Sequence, residues 1–506
     1  MSEGVVDVQP QQPVASEEVI AEGSPPVLEE VYLSQEMFTK FINLKKRVHP
    51  HVKVDGLRRY KSVVVDREVR KMEACSSIQE LVGTIEEARE RWIKTDLFQH
   101  VGYNFEPVQG GAATDILVRL ELDEKAAKQE FGVFTTDSAV PELRMKFYNI
   151  LRRGYSFQMQ YIPPSAKTHS WTMQAISYTP WLGDRFEVSV GDNKTQLAWH
   201  PAEAEKISEV KATIERSSKK WFESLTAGYQ RRELASRDMA TFPFGIARDI
   251  GVPSVKHYLR HELRYTNTMS HRHPMLYEAY PLPIWGTEAH ITSDLSGGPL
   301  GGDVSLLAQE ARLTKYIPVH PLANISLSGR VGAVWNLGSD RIRLNDRLFL
   351  GWRHLRGHLA VGPSTFTDEF SDGDPVAVQR FAATGGNLLW ALSASLNMPF
   401  LPFPQNMVAM HLFANVGNLA WLPNRQQLVD RWHELFQKPA ASIGAGFIVS
   451  KLPVFGNVLP SGRLEFNVSL PVTVGADGIS FAPENPNLFN RFRFGLIWAS
   501  SVADNV

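Results

Sequence analysis

The chain has 506 residues, a single cysteine, and 53 Lys+Arg against 54 Asp+Glu, for a formal net charge of −1. That balance offers no basic stripe to a nucleic acid, and Cys75 alone excludes an intrachain disulfide framework or a thiolate zinc site made by this chain. The length exceeds one typical soluble domain unless that domain is a large all-β barrel.

Residues 1–34 carry Glu3, Asp7, Glu17, Glu18, Glu22, Glu29 and Glu30, and the first basic residue is Lys40. With Pro10, Pro13, Pro25 and Pro26, this acidic tail is expected to be disordered. It lacks the early basic residues of a secretory or mitochondrial presequence. A short helical linker is expected over 35–49, with its helix from Gln35 to Arg47.

Residues 50–125 read as a small mixed domain. A strand is expected over Val52–Gly56 and a helix over Ser62–Glu73. Ser77-Ile78-Gln79-Glu80 fits a capping box that opens a second helix, in which Ile78, Leu81, Val82, Ile85, Ala88 and Trp92 follow the 3.6-residue period. Phe98–Phe105 and Thr114–Asp123 then form a hairpin across Gly110-Gly111, giving the order β-α-α-β-β. Cys75 reads as a small buried or helix-start residue rather than a nucleophile.

From 130 to 502 the period is two. Phe186, Val188 and Val190 alternate with Arg185, Glu187 and Ser189, and Leu464, Phe466, Val468 and Leu470 with Arg463, Glu465, Asn467 and Ser469. About sixteen such segments can be counted. The nearest rival to this reading is a helix in the charge-free stretch Phe381–Asn424, but Gly385, Gly386, Asn397, Pro399, Pro402 and Pro404 break it. Aromatics such as Trp171, Tyr265, Trp335 and Trp498 stand near strand ends, as in an interfacial girdle. Arg260, Glu262 and Arg264 lie mid-strand beside Leu259 and Leu263, which a wet lumen tolerates and a sandwich core does not. The expected fold is an all-β transmembrane barrel of about 16 antiparallel strands behind one small domain. A soluble all-β protein with one wet face is the alternative on patterning alone.

No Walker loop, G-x-S-x-G or H-E-x-x-H occurs, so no enzyme and no cofactor is expected. His271-Arg272-His273 reads as an exposed basic loop and Gly297–Gly302 as a flexible one. The sequons at Asn193, Asn324 and Asn467 are short enough to arise by chance.

The informative stretch is Arg341 to Pro363. It resembles the conserved lumen loop of the outer-membrane β-barrel assembly family, an N-D-R-F-F-L-G-G block followed by [V/L]-R-G-[F/Y]. The match runs through Asn345, Asp346, Arg347, Phe349, Leu350 and Gly351, then Leu355, Arg356 and Gly357, then Gly362-Pro363. Trp352 replaces a usual glycine and His358 a usual aromatic. Residues 50–125 resemble the POTRA domain that precedes the barrel in this family. Gly385-Gly386, Met398-Pro399-Phe400 and Phe413–Asn418 fall where the family has a double glycine, a strand-ending proline and an F-x-N-x-G-N segment. Arg493–Trp498 resembles the mitochondrial β-signal, with Ser500 where a large apolar residue is usual.

The resemblance implies a POTRA-like domain over 50–125, a barrel over 130–502 and a mitochondrial member of the family. It implies an insertase, without covalent catalysis, that places β-barrel precursors in the mitochondrial outer membrane. The POTRA-like domain would face the intermembrane space, and the partners would be precursors, further peripheral or integral subunits of an assembly complex and the lipid bilayer. Arginine suits the lumen loop because its planar fork can hold a carboxylate and several carbonyls together. A lateral gate is expected between the first strand, with Phe131, Val133, Phe134 and Thr135, and the last, with Phe492, Arg493, Phe494, Gly495, Leu496 and Trp498. The alternatives are a polypeptide-conducting channel of the same family and a passive metabolite pore.

Overall fold

The computed structural model describes residues 47–58, 65–94, 98–108, 110–112, 114–124, 129–135, 141–150, 155–164, 169–177, 184–196, 204–218, 220–235, 247–269, 283–320, 323–338, 341–351, 354–358, 360–369, 378–399, 408–422, 430–437, 439–449, 462–475, 478–481 and 493–500. The expectations for the acidic tail, the helical linker up to residue 46, His271-Arg272-His273, Trp352 and Phe492 lie outside the described residues.

The small domain comprises β1 (His49–Asp55), α1 (Asp66–Glu73), α2 (Ile78–Lys94), β2 (Phe98–Pro107) and β3 (Asp115–Glu124). Its sheet runs β1-β3-β2, with β1 parallel and β2 antiparallel to the central β3. At the start of α2, Ser77 Oγ accepts the Glu80 N–H at 3.3 Å. The Glu80 carboxylate reaches one residue further back than a standard capping box, to the Ser76 N–H at 3.0 Å. Leu81, Ile85, Ala88 and Trp92 thereby face Met72, Val118 and Leu120 in one core. Burying an aliphatic side chain of this kind contributes roughly 1.5–3 kcal/mol. Cys75 is part of that core, and burial pushes its thiol up, so it is an inert packing residue.

The barrel follows. Its strands begin with β4 (Gln129–Thr135), β5 (Pro141–Ile150), β6 (Tyr155–Ile162), β7 (His169–Ser177) and β8 (Arg185–Gln196). Longer strands come next: β9 (Ala204–Ser217), β10 (Trp221–Ala235), β11 (Ser254–Met269), β12 (Trp285–Ser296), β13 (Leu306–His320) and β14 (Ala323–Asn336). Between β14 and β19 lie four short strands, β15 (Leu350–Gly351), β16 (Ala360–Val361), β17 (Ser364–Glu369) and β18 (Val378–Ala383), which pair as two ribbons. The wall resumes with β19 (Leu388–Pro399), β20 (Val408–Ala420), β21 (Ala440–Val449), β22 (Gly462–Gly475), β23 (Gly478–Phe481) and β24 (Arg493–Ser500). Within the charge-free stretch at 381–424, the described residues form the end of β18, β19 and β20 and no helix. The order closes on itself between β24 and β4. Because β23 and β24 pair with successive stretches of β22, they share one position, and the seventeen segments of the closed order fill sixteen positions.

The two faces of this wall are inverted relative to a soluble protein. Val188, Val210, Leu327, Val331, Leu392, Ile443 and Phe466 point outward and are exposed. Glu187, Arg232, Lys256, Asp294, Asn324, His411, Glu465 and Asn467 point inward and are buried. Apolar outside and polar inside is what a bilayer demands of a closed sheet. The mid-strand charges are paired on the lumen side: Arg260 with Asp294 at 2.9 Å, and Glu262 with Arg264 at 2.5 Å and His290 at 2.7 Å. The sequon residues Asn193, Asn324 and Asn467 all lie within strands.

Antiparallel alternation assigns each turn to a rim. The small domain leads into β4, so its side is the near rim, where β7 turns to β8 and β9 to β10. In agreement, Arg91 of α2 lies 3.4 Å from Asp184, just before β8, while holding the buried Glu68 of α1 at 2.5 Å. The long β14–β19 connection starts from the far rim. The glycine-rich stretch between β12 and β13 is at the far rim too, and it folds as a tight turn in which Gly297, Gly298, Gly301 and Gly302 have positive φ.

Candidate functional site

The β14–β19 connection folds back into the lumen, where inward-facing wall residues hold it at successive points. At Leu344–Asp346 the chain makes a single 3-10 turn. Asp249 secures it by accepting the Leu344 N–H at 3.1 Å and the Arg341 guanidinium at 2.7 Å. Asn345 hydrogen-bonds Glu205 of β9. Asp346 accepts both terminal nitrogens of Arg232 on β10, at 2.7 and 2.9 Å, and the Lys256 ammonium on β11 at 3.4 Å. All three side chains are buried, and Lys256 also reaches Asp294, at 3.3 Å. Buried charges are tolerated when paired and hydrogen-bonded in this way.

The next residues lie against the start of β19. Arg347 donates to the Thr384 carbonyl at 3.0 Å and stacks 4.1 Å from the Trp421 ring. Leu348 and Gly386 exchange backbone hydrogen bonds of 2.8 and 2.9 Å. This contact explains the double glycine. Gly385 has φ +70°, and a Cβ on Gly386 would stand 2.4 Å from the Ala420 carbonyl oxygen. Phe349 sits beside Gly385, whose added Cβ would meet its ring at 2.9 Å.

The tip follows. Leu350 and Gly351 pair with Val361 and Ala360 as β15–β16, and the Gly351 carbonyl accepts the His354 and Leu355 N–H groups, both at 2.9 Å. Leu355 is buried with Leu350, Leu389, Ala391 and Leu419. Arg356 Nε donates to Glu465 Oε1 on β22 at 2.7 Å, and its guanidinium lies 4.9 Å from the Phe413 ring centroid. Glu465 also accepts Asn467 Nδ2 at 2.9 Å, while Asn467 Oδ1 meets His411 Nε2 at 2.7 Å. Ser442 on β21 donates to the Arg356 carbonyl. Gly357 has φ +90°, and a Cβ there would lie 2.6 Å from Ser469 Oγ. His358, where an aromatic was expected, lies with Nε2 2.8 Å from the Ala441 carbonyl oxygen. That contact requires the proton on Nε2.

The motif residues 345–351 and 355–357 therefore form one continuous strut, from the β9–β11 wall on one side to β20–β22 on the other. Its wall partners Glu205, Arg232, Asp249, Lys256, Asp294, Phe413, Ser442 and Glu465 were not singled out from the sequence as site residues. For the polar ones on strands the only signal there is an inward position, whereas Phe413 opens the F-x-N-x-G-N segment and Asp249 lies in the chain ahead of β11.

The expected gate residues fall on the two terminal strands. Phe131, Val133, Phe134 and Thr135 belong to β4, and Arg493, Phe494, Gly495, Leu496 and Trp498 to β24. Ser500 pairs with Gly462. Phe131 and Phe494 are 69% and 80% exposed. β4 and β24 are described over 7 and 8 residues, against 15 and 16 for β10 and β11. Among the described residues a continuous register runs from β4 through to β22 and its partners, and β24 and β4 are neighbours in the closed order.

The wall and the strut together define a transmembrane β-barrel whose lumen is crossed by its own far-rim loop. Residues 277–496 match the Omp85 superfamily domain, which supports assigning the chain to the outer-membrane β-barrel assembly family. It is 25% identical over 476 residues to the sorting and assembly machinery component 50 homolog of Bos taurus, covering 89% of this chain and 92% of that one. It is 24% identical over 484 residues to homolog B of Xenopus laevis, covering 91% and 94%. Among solved structures, BamA from Haemophilus ducreyi lacking POTRA domains 1–3 shares the fold, with a TM-score of 0.59 at 16% identity over 89% of this chain and 84% of that one.

Proposed function

We propose that this chain is the barrel subunit of a sorting and assembly machinery, folding and inserting β-barrel precursors into the mitochondrial outer membrane. The observation that carries the mechanism is a lumen crossed by the barrel's own far-rim loop, which is held on both sides of the wall. A strut anchored on both sides obstructs passage along the axis, which disfavours a metabolite pore or an axial polypeptide channel. In this reading the route is sideways, at the joint between β4 and β24.

The physical task is to bring strands into lipid while their N–H and C=O groups are still unpaired. Each unpaired group costs several kcal/mol in hydrocarbon. A host edge that pairs weakly with its own neighbour can lend its hydrogen bonds to the incoming terminal strand, which then adds by β-augmentation. In this reading β4 and β24 form the gate, and the Arg356 strut supports the wall beside it. The domain of β1 to β3 is a POTRA domain in the intermembrane space that receives precursors. No covalent chemistry and no cofactor enters the scheme, and the partners are precursors, further subunits of the complex and the bilayer.

The test is depletion of the protein, followed by native-gel assembly of a radiolabelled porin precursor in isolated mitochondria. Lost porin assembly with preserved matrix import supports the insertase. Normal porin assembly overturns it in favour of a channel or pore.

A further inference from the structure

The outer wall is apolar between its rims at the exposed positions of most strands, as at Val188, Val210, Val331, Leu392, Ile443 and Phe466. Strands β10 to β13 break the pattern. On β11, His261 lies between Leu259 and Leu263 on the lipid side and midway along its strand. Its Nε2 is 3.0 Å from Glu223 Oε1 on β10, and the two side chains are 41% and 49% exposed. Glu223 itself lies between the outward Trp221 and Leu225, both exposed. The row continues laterally, since His261 is in register with Ser293 and Ser293 with Gln309.

This stripe is inclined. Glu223 is in the first turnward residues of β10, which begins at the near rim, and its partner His261 is mid-strand. Ser293 and Gln309 lie close to the far-rim ends of β12 and β13. Aromatics bracket the pair on the same face: Trp221 packs on Tyr265 at 4.6 Å toward the near rim, and Tyr229 on His257 at 5.4 Å toward the far rim. The row therefore starts near one rim at Glu223, passes through the middle of the lipid-facing band at His261 and ends near the other rim at Ser293 and Gln309. Ionisable side chains facing hydrocarbon are costly and mark sites where another group meets them.

We propose that this stripe docks a membrane-spanning helix of a partner protein, one with a cationic side chain opposite Glu223 and small or polar residues along the rest of the contact. A helix satisfies its own backbone, so it can meet the wall without a free edge. A row that runs from one rim to the other calls for a partner that does the same. The negative end of the row at Glu223 selects a lysine or arginine near the near-rim interface. A second copy of this chain does not fit. A two-fold axis along the membrane normal would set the near-rim Glu223 of one copy beside the far-rim Gln309 of the other, at different depths.

The test uses the full chain in lipid nanodiscs with two synthetic probes. One is a polyleucine helix of about 21 residues, long enough to span, with one lysine placed near the near-rim interface and a serine at its centre. The other is its all-leucine counterpart. Binding is read by energy transfer from a fluorophore on the protein. The lysine-serine helix is expected to bind about three- to tenfold more tightly, the range one or two polar contacts between membrane segments supply. Glu223→Leu with His261→Leu should abolish that preference. This variant makes the wall more apolar, and heat-modifiable gel mobility verifies that it is folded. Equal binding of both probes overturns the proposal and leaves lipid as the occupant. A preference that survives in the double variant overturns it as well. Energy transfer between copies of the chain that the double variant removes overturns it in favour of a dimer.

Discussion

At Gly357 two physical demands meet at one atom. The residue has φ +90°, where an L side chain is strained, and a Cβ would also strike Ser469 Oγ at 2.6 Å. Gly357→Ala is therefore expected to lift the neighbouring Arg356 off Glu465 and to slow porin assembly severalfold. Adding Ser469→Gly removes the steric part and should restore assembly partially, since the backbone strain of roughly 1–2 kcal/mol remains. No rescue by Ser469→Gly would mean that the close approach is not what Gly357 serves. Arg356→Lys tests the neighbour in the same assay. Lysine keeps the charge but loses the planar group that both meets Glu465 and lies over Phe413, so a severalfold loss is again expected. In the small domain, Tyr103 donates to Glu86 at 2.9 Å, and burial together with the Glu86 charge pushes its phenol up to about 12. A pKa raised on folding gives stability that is complete below the ordinary tyrosine value of about 10 and is lost as pH climbs to the folded value. The difference between absorbance titrations of the wild-type chain and Tyr103→Phe should show one phenol ionising well above the ordinary range. A midpoint near 10 would refute the buried hydrogen bond.

The lumen strut shows what a single sequence exposes about an element and what it conceals. The loop itself was legible, because Asn345, Asp346, Arg347, Leu355, Arg356 and Gly357 are contiguous and their pattern is specific. The alternation of the wall was legible too, because a bilayer and a lumen force opposite chemistry onto successive residues. The partners were not. Arg232 lies 114 residues from Asp346, Lys256 lies 90, and Glu465 lies 109 from Arg356. Each looks like any other inward polar residue until the sheet closes. The glycine-rich turn at 297–302 was legible as a loop, but its constrained conformation depends on backbone contacts with β11 and the chain ahead of β13. These long-range contacts lead to a prediction. Asp346→Ala leaves Arg232 and Lys256 facing each other in a buried site, with Asp294 beside Lys256 at 3.3 Å. Removing one member of such a group typically costs about 3–5 kcal/mol. Limited proteolysis in nanodiscs should then cut the 341–363 loop, which is expected to resist cleavage in the wild type, while the wall strands stay protected. Unchanged protection would show that the strut stands without its β10–β11 anchor.

For the whole molecule, the contrast is between described strands of 15, 16, 15 and 14 residues at β10, β11, β13 and β14 and of 7 and 8 residues at β4 and β24. The back of the barrel presents extended ladders whose opening would cost many hydrogen bonds at once. The joint carries Phe131 and Phe494 exposed on the outside, and on the proposed route it is where the wall parts. If precursors leave through that joint, closing it covalently must stop assembly while leaving the barrel folded. Cysteines scanned along β4 and β24 in a Cys75→Ser background, which removes the one native thiol from the core of the small domain, should yield pairs that oxidise at the joint. Oxidised pairs are expected to block porin assembly nearly completely, and dithiothreitol should restore it in the same mitochondria. A pair placed across β13 and β14, such as Ala311→Cys with Val331→Cys, which are in register, controls for oxidation itself and should leave assembly unaffected. Assembly that continues through a locked β4–β24 joint would reject the lateral route and return attention to the lumen, with the Arg356 strut as the gate.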